Sequence, residues 1–328
     1  MQLEAILRQN HGFLVALAAL FVMIGLAGGA HARYSAANLI GVWPVGLAEP
    51  QPGHHGAPPS PVGGIGHAPF IIRGSESSNR FVVGIFFHDD EGRPSICSGL
   101  YISTFYVLTA KHCTCHTNGY LVTNDVDMLS NSASWQVAAL AGSRLGAPCN
   151  SISDLNLAEG NDLALLKLAS PLPMGPHGEC TRFNMTDQIM IEGNWLTTPL
   201  KVVRVSGFGR DPASVGSQEM RREGRITVNS LTCKNAVAAQ LGCVEVREFI
   251  AGARQSAPTA VDSCGGDSGG PVFVADAQGA MTPIGAVSRA LPGQPSSSCG
   301  GGGIYTHYGR TDVLAWLRSL MIQADGCS

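Results

Sequence analysis

The chain carries little charge and nowhere concentrates it. Only 14% of its 328 residues are Asp, Glu, Lys or Arg, and the net charge is -3 with no acidic or basic block. Nucleic acids and anionic membrane surfaces are gripped by clustered Lys and Arg, so neither is expected as a partner. No Cys-x-x-Cys pair occurs among the ten cysteines, which favours disulfides over metal ligands behind an export signal. Helical periodicity is scarce, and no internal repeat stands out. The N-terminal apolar run, Phe13 to Leu26, would rise only ~21 Å as a helix, short of a ~30 Å bilayer core.

That run follows Arg8 and precedes Ala30-His31-Ala32, a small-x-small pattern of the kind cleaved from exported chains. Residues 1–32 are therefore expected to be a signal peptide cut after Ala32, with the mature protein secreted to a periplasm or the extracellular space. Residues 33–70 are rich in Gly and Pro, with His54, His55 and His67 scattered among them. Such a segment buries too little apolar surface to offset its ordering entropy, so it reads as a propeptide or linker.

From Phe70 onward short β-rich runs dominate: Phe81 to Phe87, Tyr101 to Leu108, Trp135 to Leu140, Leu163 to Leu168, Lys201 to Val205, Val272 to Val274 and Ile284 to Val287. Turn residues separate them, as in Asp89-Asp-Glu-Gly92, and many short strands argue for an all-β barrel or sandwich. Val313, Leu314, Leu317 and Leu320 have helical spacing behind Thr311, a possible N-cap.

Three stretches carry chemistry. Asp262-Ser-Cys-Gly-Gly-Asp-Ser-Gly-Gly-Pro271 surrounds Ser268 with glycines, which lets a backbone take φ > 0 and aim N–H groups at a developing anion. Tyr106-Val-Leu-Thr-Ala-Lys-His-Cys113 offers His112 as a base, and Asn161-Asp-Leu-Ala-Leu-Leu-Lys-Leu168 offers Asp162 to orient that base. Taken singly, His112 could be a packed core group and Asp162 a turn former. Their order, His112, Asp162, Ser268, is the chymotrypsin order.

With these motifs in that order, the chain resembles the secreted trypsin-like serine peptidases from about Ile71 to the C-terminal helix. The resemblance implies two packed six-stranded Greek-key β-barrels with a C-terminal helix over residues 71–328, the barrel boundary falling near 185–200. It implies a Ser268 nucleophile, an oxyanion hole from the Gly266 and Ser268 N–H groups, and no cofactor or metal. Val205-Ser-Gly-Phe-Gly209 is similar to the family's Gly-Trp-Gly turn, with Phe208 in place of Trp.

By the same resemblance Asp262 and Ser263 form the base of the specificity pocket, with Ser288, Ala290 and Gly303 along it, implying cleavage after Arg or Lys. Ser288-Arg-Ala290 departs from the usual Ser-Trp-Gly: Ala290 adds a methyl to the pocket wall and Arg289 places a cation near the cleft. Ile71-Ile-Arg-Gly74 is similar to the family's mature N-terminus, whose freed ammonium would pair with Asp267. Arg73 and the preceding Phe70 depart from that pattern, so either a peptidase other than a basic-specific one makes the cut or the mature chain starts elsewhere. The implied disulfides are Cys97–Cys113, Cys264–Cys299 and Cys233–Cys243; Cys115, Cys149, Cys180 and Cys327 allow three pairings, with 115–149 and 180–327 preferred. Asn184-Met-Thr186 is a glycosylation sequon. The expected protein is a monomer acting on polypeptides and open to protein inhibitors, without a stable membrane partner. The alternatives are a catalytically silent binding or regulatory protein on the same fold, or a peptidase of non-basic specificity.

Overall fold

The computed structural model describes residues 71, 74–89, 91–115, 119–128, 130, 134–144, 159–173, 202–209, 220–252, 261–275, 281–292 and 299–321. The signal and linker segments, Phe70, Arg73, the 185–200 boundary, Asn184, Cys149, Cys180 and Cys327 lie outside them. Among the described residues no helix is long and apolar enough to cross a membrane.

The first barrel is built from β2 (Val82–His88), β3 (Pro94–Ser103), β4 (Tyr106–Thr109), β5 (Tyr120–Thr123), β6 (Gln136–Arg144) and β7 (Ala164–Leu168), closed in the order β2-β3-β4-β7-β6-β5. Its strands alternate between two apolar environments. Val83, Ile85 and Phe87 pack with Tyr101, Val107, Val122 and Leu166 in one cluster. Their neighbours Val82 and Phe86 pack with Leu100, Leu108 and Leu165 in another. Both faces are buried, so the strands read as continuous apolar runs rather than alternating ones.

The second barrel uses β8 (Val202–Gly207), β9 (Arg222–Ser230), β10 (Glu248–Ala251), β11 (Pro271–Ala275), β12 (Met281–Ala290) and β13 (Gly303–His307). Their order is β9-β10-β13-β12-β11-β8, closed by pairing of β8 with β9, while β1 (Ser75–Glu76) adds to β9. A short helix, α1 (Ala236–Gln240), is capped by Asn235, whose Oδ1 accepts from the Ala238 N–H at 2.8 Å. The last helix, α2 (Thr311–Met321), buries Val313, Leu314 and Leu317 in the cluster that also holds Phe208 and Phe273 of the second barrel and Leu108 of the first. That shared cluster joins the barrels, each large side chain contributing ~1.5–3 kcal/mol of burial.

Two details differ from the sequence expectation. The run Tyr101 to Leu108 is not one strand: the chain turns at Thr104 and Phe105, the Tyr101 hydroxyl donating to the Thr104 carbonyl at 2.7 Å, so that β3 and β4 can pair antiparallel. Thr311 is the first helical residue, not the cap; the Arg310 carbonyl accepts from the Leu314 N–H at 3.0 Å, which puts the cap one residue earlier.

Among the described residues three disulfides are present, Cys97–Cys113, Cys233–Cys243 and Cys264–Cys299. Cys115 is also disulfide-bonded.

Candidate active site

Strand pairing brings His112 and Asp162 together. Thr109, the last residue of β4, is the antiparallel partner of Ala164, the first of β7, so the chain just after one and just before the other lie at the same barrel end. The turn Lys111–Thr114 leaves the strand there. His112 Nδ1 lies 2.8 Å from Asp162 Oδ2, and the His112 backbone N–H donates to Asp162 Oδ1 at 2.9 Å. The Asp162 side chain is 0% exposed and that of His112 is 15% exposed. The Ser288 hydroxyl donates to Asp162 Oδ2 at 2.7 Å, so the carboxylate is ringed by donors.

Those donors decide the charge. Burial pushes the Asp162 carboxyl up, but the His112 ring, the Ser288 hydroxyl and the His112 backbone outweigh it and hold the carboxyl below its ordinary range. Burial likewise pulls His112 down, and the Asp162 charge and hydrogen bond reverse this, leaving the imidazole above its ordinary value. The pair is thus set up to stabilise an imidazolium.

The second barrel supplies the serine turn. Pro271 of β11 pairs with Ala286 of β12, and the Gly269 N–H donates to the Val287 carbonyl at 2.8 Å, which sets Ser268 beside the Ser288 end of β12. Gly269 has φ 78°, and a Cβ there would overlap Thr109 Oγ1 and the Ala110 backbone of the first barrel; only glycine lets the two barrels approach this closely. Gly266 has φ 99°, again the left-handed region. The Ser98 hydroxyl donates to the Gly266 carbonyl at 2.9 Å and accepts from the Phe208 N–H at 2.8 Å. The Ser98 N–H donates to the Ser268 carbonyl at 2.8 Å. Ser98, fully buried on β3, therefore holds both residues of the candidate oxyanion turn. His112 and Ser268 line one cleft of about 300 Å³, with Phe87, Ile96 and the Cys97–Cys113 bridge on the first-barrel side.

Asp267, fully buried, accepts from the Gly209 N–H at 2.7 Å and the Cys264 N–H at 2.8 Å. Among the described residues no cation pairs with it, and burial pushes its carboxyl up to about 7. Ile71 is fully buried with Val203, Val205 and Ile226 in the second-barrel core. Its φ of 38° is a strained backbone for a β-branched residue.

Asp262 is 2% exposed. It accepts from the N–H groups of Ser263 at 2.8 Å, Gly300 at 3.0 Å and Gly302 at 2.8 Å; burial still pushes its carboxyl up to about 6. The Ser263 hydroxyl lies 3.2 Å from the Tyr305 hydroxyl, and Gly303 opens β13 beneath that ring, where a Cβ would meet Tyr305. Ala290 is exposed. The Arg289 guanidinium turns to the buried Glu248, Nη1 to Oε1 at 2.6 Å and Nη2 to Oε2 at 2.8 Å, with the side chain 18% exposed. A buried carboxylate attracts it more strongly than open solvent would.

Sequence reasoning missed Ser98, Glu248 and two arginines. Arg310 Nη2 donates to Asn161 Oδ1 at 2.9 Å, and Arg247 Nη1 donates to the Glu159 carbonyl at 2.9 Å, holding the segment that precedes Asp162. Nothing in their local sequence marks these contacts, which span the chain. The cluster Cys97, His112, Cys113 has metal-like proximity, but both sulfurs are spent in a disulfide, so it does not offer a thiolate set.

Two closed antiparallel barrels meeting at a His-Asp pair and a glycine-flanked serine define the architecture of the trypsin-like proteins. The trypsin family model matches residues 71–317, about three quarters of the sequence, and the chain belongs to that family. It is 25% identical over 230 residues to the venom peptide isomerase heavy chain of Agelenopsis aperta, an alignment covering 65% of this chain and 80% of that protein. Among solved structures, it is similar to a scabies mite inactivated protease paralogue, S-I1, at 18% identity and a TM-score of 0.52, and to GrC at 19% identity and a TM-score of 0.55. Each of these matches covers 76% of this chain and 99% of the other. At these identities the structural likeness speaks for the fold.

Proposed function

We propose that the chain is a secreted serine endopeptidase that hydrolyses peptide bonds after Arg or Lys. The observation that carries this reading is the buried Asp162–His112 pair, supported by Ser288, opening on the same cleft as Ser268. In this mechanism Ser268 Oγ attacks the scissile carbonyl while His112 Nε2 takes its proton, and the new C–O bond pushes the carbonyl electrons onto oxygen. The N–H groups of Gly266 and Ser268 receive that oxyanion. His112 then hands its proton to the leaving amine, and water repeats the sequence on the acyl-enzyme. This is the general scheme for Ser-His-Asp hydrolases, and Asp162 serves by fixing the tautomer and stabilising the imidazolium.

Asp262 supports the basic preference, because an ionised carboxylate at a pocket base rejects substrates that leave it without a cation. Secretion fits the disulfides. Activation would follow cleavage before Ile71: the cut relieves the strained φ of that residue and supplies an ammonium for Asp267, whose burial otherwise favours the protonated form.

The test uses the chain cut before Ile71, an organophosphonate serine probe and a peptide panel. Labelling of the wild type, its loss in Ser268→Ala, and cleavage after Arg or Lys are expected. Absence of labelling in the cut wild type would refute the peptidase reading in favour of a silent binding protein, and preference for Phe or Leu would refute the role of Asp262.

A further inference from the structure

Arg289 occupies the position next to Ser288 where the family usually has tryptophan, and it is held by a carboxylate that the peptidase scheme does not use. Glu248 is fully buried in β10. Its Oε1 accepts from Arg289 Nη1 at 2.6 Å, and its Oε2 accepts from Arg289 Nη2 at 2.8 Å and from the Val244 N–H at 2.8 Å. Arg289 Nη2 also donates to the Gly242 carbonyl at 2.7 Å. Such a fork-to-fork pair has one orientation, which a lysine could not reproduce.

The same guanidinium reaches toward the triad. Arg289 Nη1 donates to Ser288 Oγ at 3.3 Å, and Ser288 Oγ donates to Asp162 Oδ2 at 2.7 Å. A serine hydroxyl has one proton and two lone pairs. When a cation occupies a lone pair, the proton is directed away from it and the O–H becomes the stronger donor.

We propose that the buried Glu248–Arg289 pair is a positioning element for the candidate triad: Glu248 aims Arg289, and Arg289 keeps the Ser288 hydroxyl turned onto Asp162. This rests on the peptidase reading for its effect on turnover, but not for its effect on His112. Among the described residues, the charged groups facing His112 are Asp162 and Arg289, together with Asp89, Glu91 and Arg93, which line the same cleft. The last three are paired among themselves, Arg93 Nε to Asp89 at 2.8 Å and Arg93 Nη1 to Glu91 at 2.6 Å. Arg289 opposes protonation of His112, and Glu248 offsets the Arg289 charge.

Removing the two charges one at a time therefore moves His112 in opposite directions. The experiment follows the His112 imidazole by NMR titration in a Ser268→Ala background, and kcat against pH in the active chain. Arg289→Gln should raise the His112 midpoint by about half a pH unit and lower kcat about 10-fold; Glu248→Gln should lower the midpoint by a similar shift. Arg289→Lys keeps the charge but loses the fork, so kcat should fall several-fold with the midpoint in place. Unmoved midpoints and rates in folded Gln variants would overturn the proposal. If neither Gln variant folds, wild-type kcat in Arg289→Lys overturns it and reduced kcat with an unmoved midpoint supports it. Opposite midpoint shifts in a chain without turnover would sustain the action of the pair on His112 and defeat the peptidase reading alone.

Discussion

Ser98→Ala is the sharpest local perturbation available. The hydroxyl it removes sits between the barrels, donating to the Gly266 carbonyl at 2.9 Å and accepting from the Phe208 N–H at 2.8 Å. Each group left without a partner at a buried site costs ~1–3 kcal/mol. Gly266 is only partly buried, so its carbonyl can recover water, and the low end of that range for both groups gives a loss of about 2 kcal/mol. In a domain of this size that lowers Tm by roughly 4–8 °C.

The freed Gly266 carbonyl also lets the turn rotate, and with it the candidate oxyanion donors. Full loss of such a donor costs about 10²–10³ in kcat, and a loosened one about 10-fold, with KM changed less than about twofold because ground-state binding lies elsewhere. The assays are thermal unfolding and steady-state cleavage of an Arg-containing peptide. A folded Ser98→Ala chain with wild-type Tm and wild-type kcat would refute the claim that this hydroxyl holds the turn.

Other outcomes follow from the same geometry. Gly269→Ala places a methyl against Thr109 and the Ala110 backbone at a φ that side chains resist, so serine-probe labelling should fall at least about 100-fold, read by labelling rate. Arg221, 3% exposed, donates to the carbonyls of Ser77, Val82 and Asn124 at 2.9, 3.4 and 2.7 Å, so Arg221→Met should cost roughly 3 kcal/mol in denaturant unfolding. His307 is nearly fully buried, and burial lowers its value from 6.5 to about 4. The unfolded chain therefore binds the extra proton between those pH values, and the stability this group contributes above pH 6.5 is lost as pH falls toward 4. Relative to His307→Asn, the wild type should lose about 1.4 kcal/mol per pH unit across that window; parallel stability curves would contradict it.

β9 escaped notice because charged residues interrupt it, yet Gly224 and Ile226 are buried between exposed Arg225 and Thr227, a period-two signal that was there to be read. β10 begins with a glutamate, which argues against a buried strand until Arg289 is found opposite it. The turn at Thr104 and Phe105 has no glycine, proline or asparagine to announce it.

What the residues determine by themselves is the set of short motifs: an apolar strand delivering His112, another following Asp162, and a glycine-crowded Ser268. Their identity and order suffice to name the fold, because each motif is local and chemically constrained. Distances are another matter. The 2.8 Å contact of His112 with Asp162 depends on the pairing of β4 with β7, and the placing of Ser268 on the same cleft depends on Gly269 seating one barrel against the other. The Glu248–Arg289 pair, the two-sided grip of Ser98 and the buried Arg221 join residues far apart in the chain, and only the folded barrels bring such partners within hydrogen-bond reach. Local propensity cannot encode them, because the burial that makes each contact worth forming is created by the tertiary fold itself.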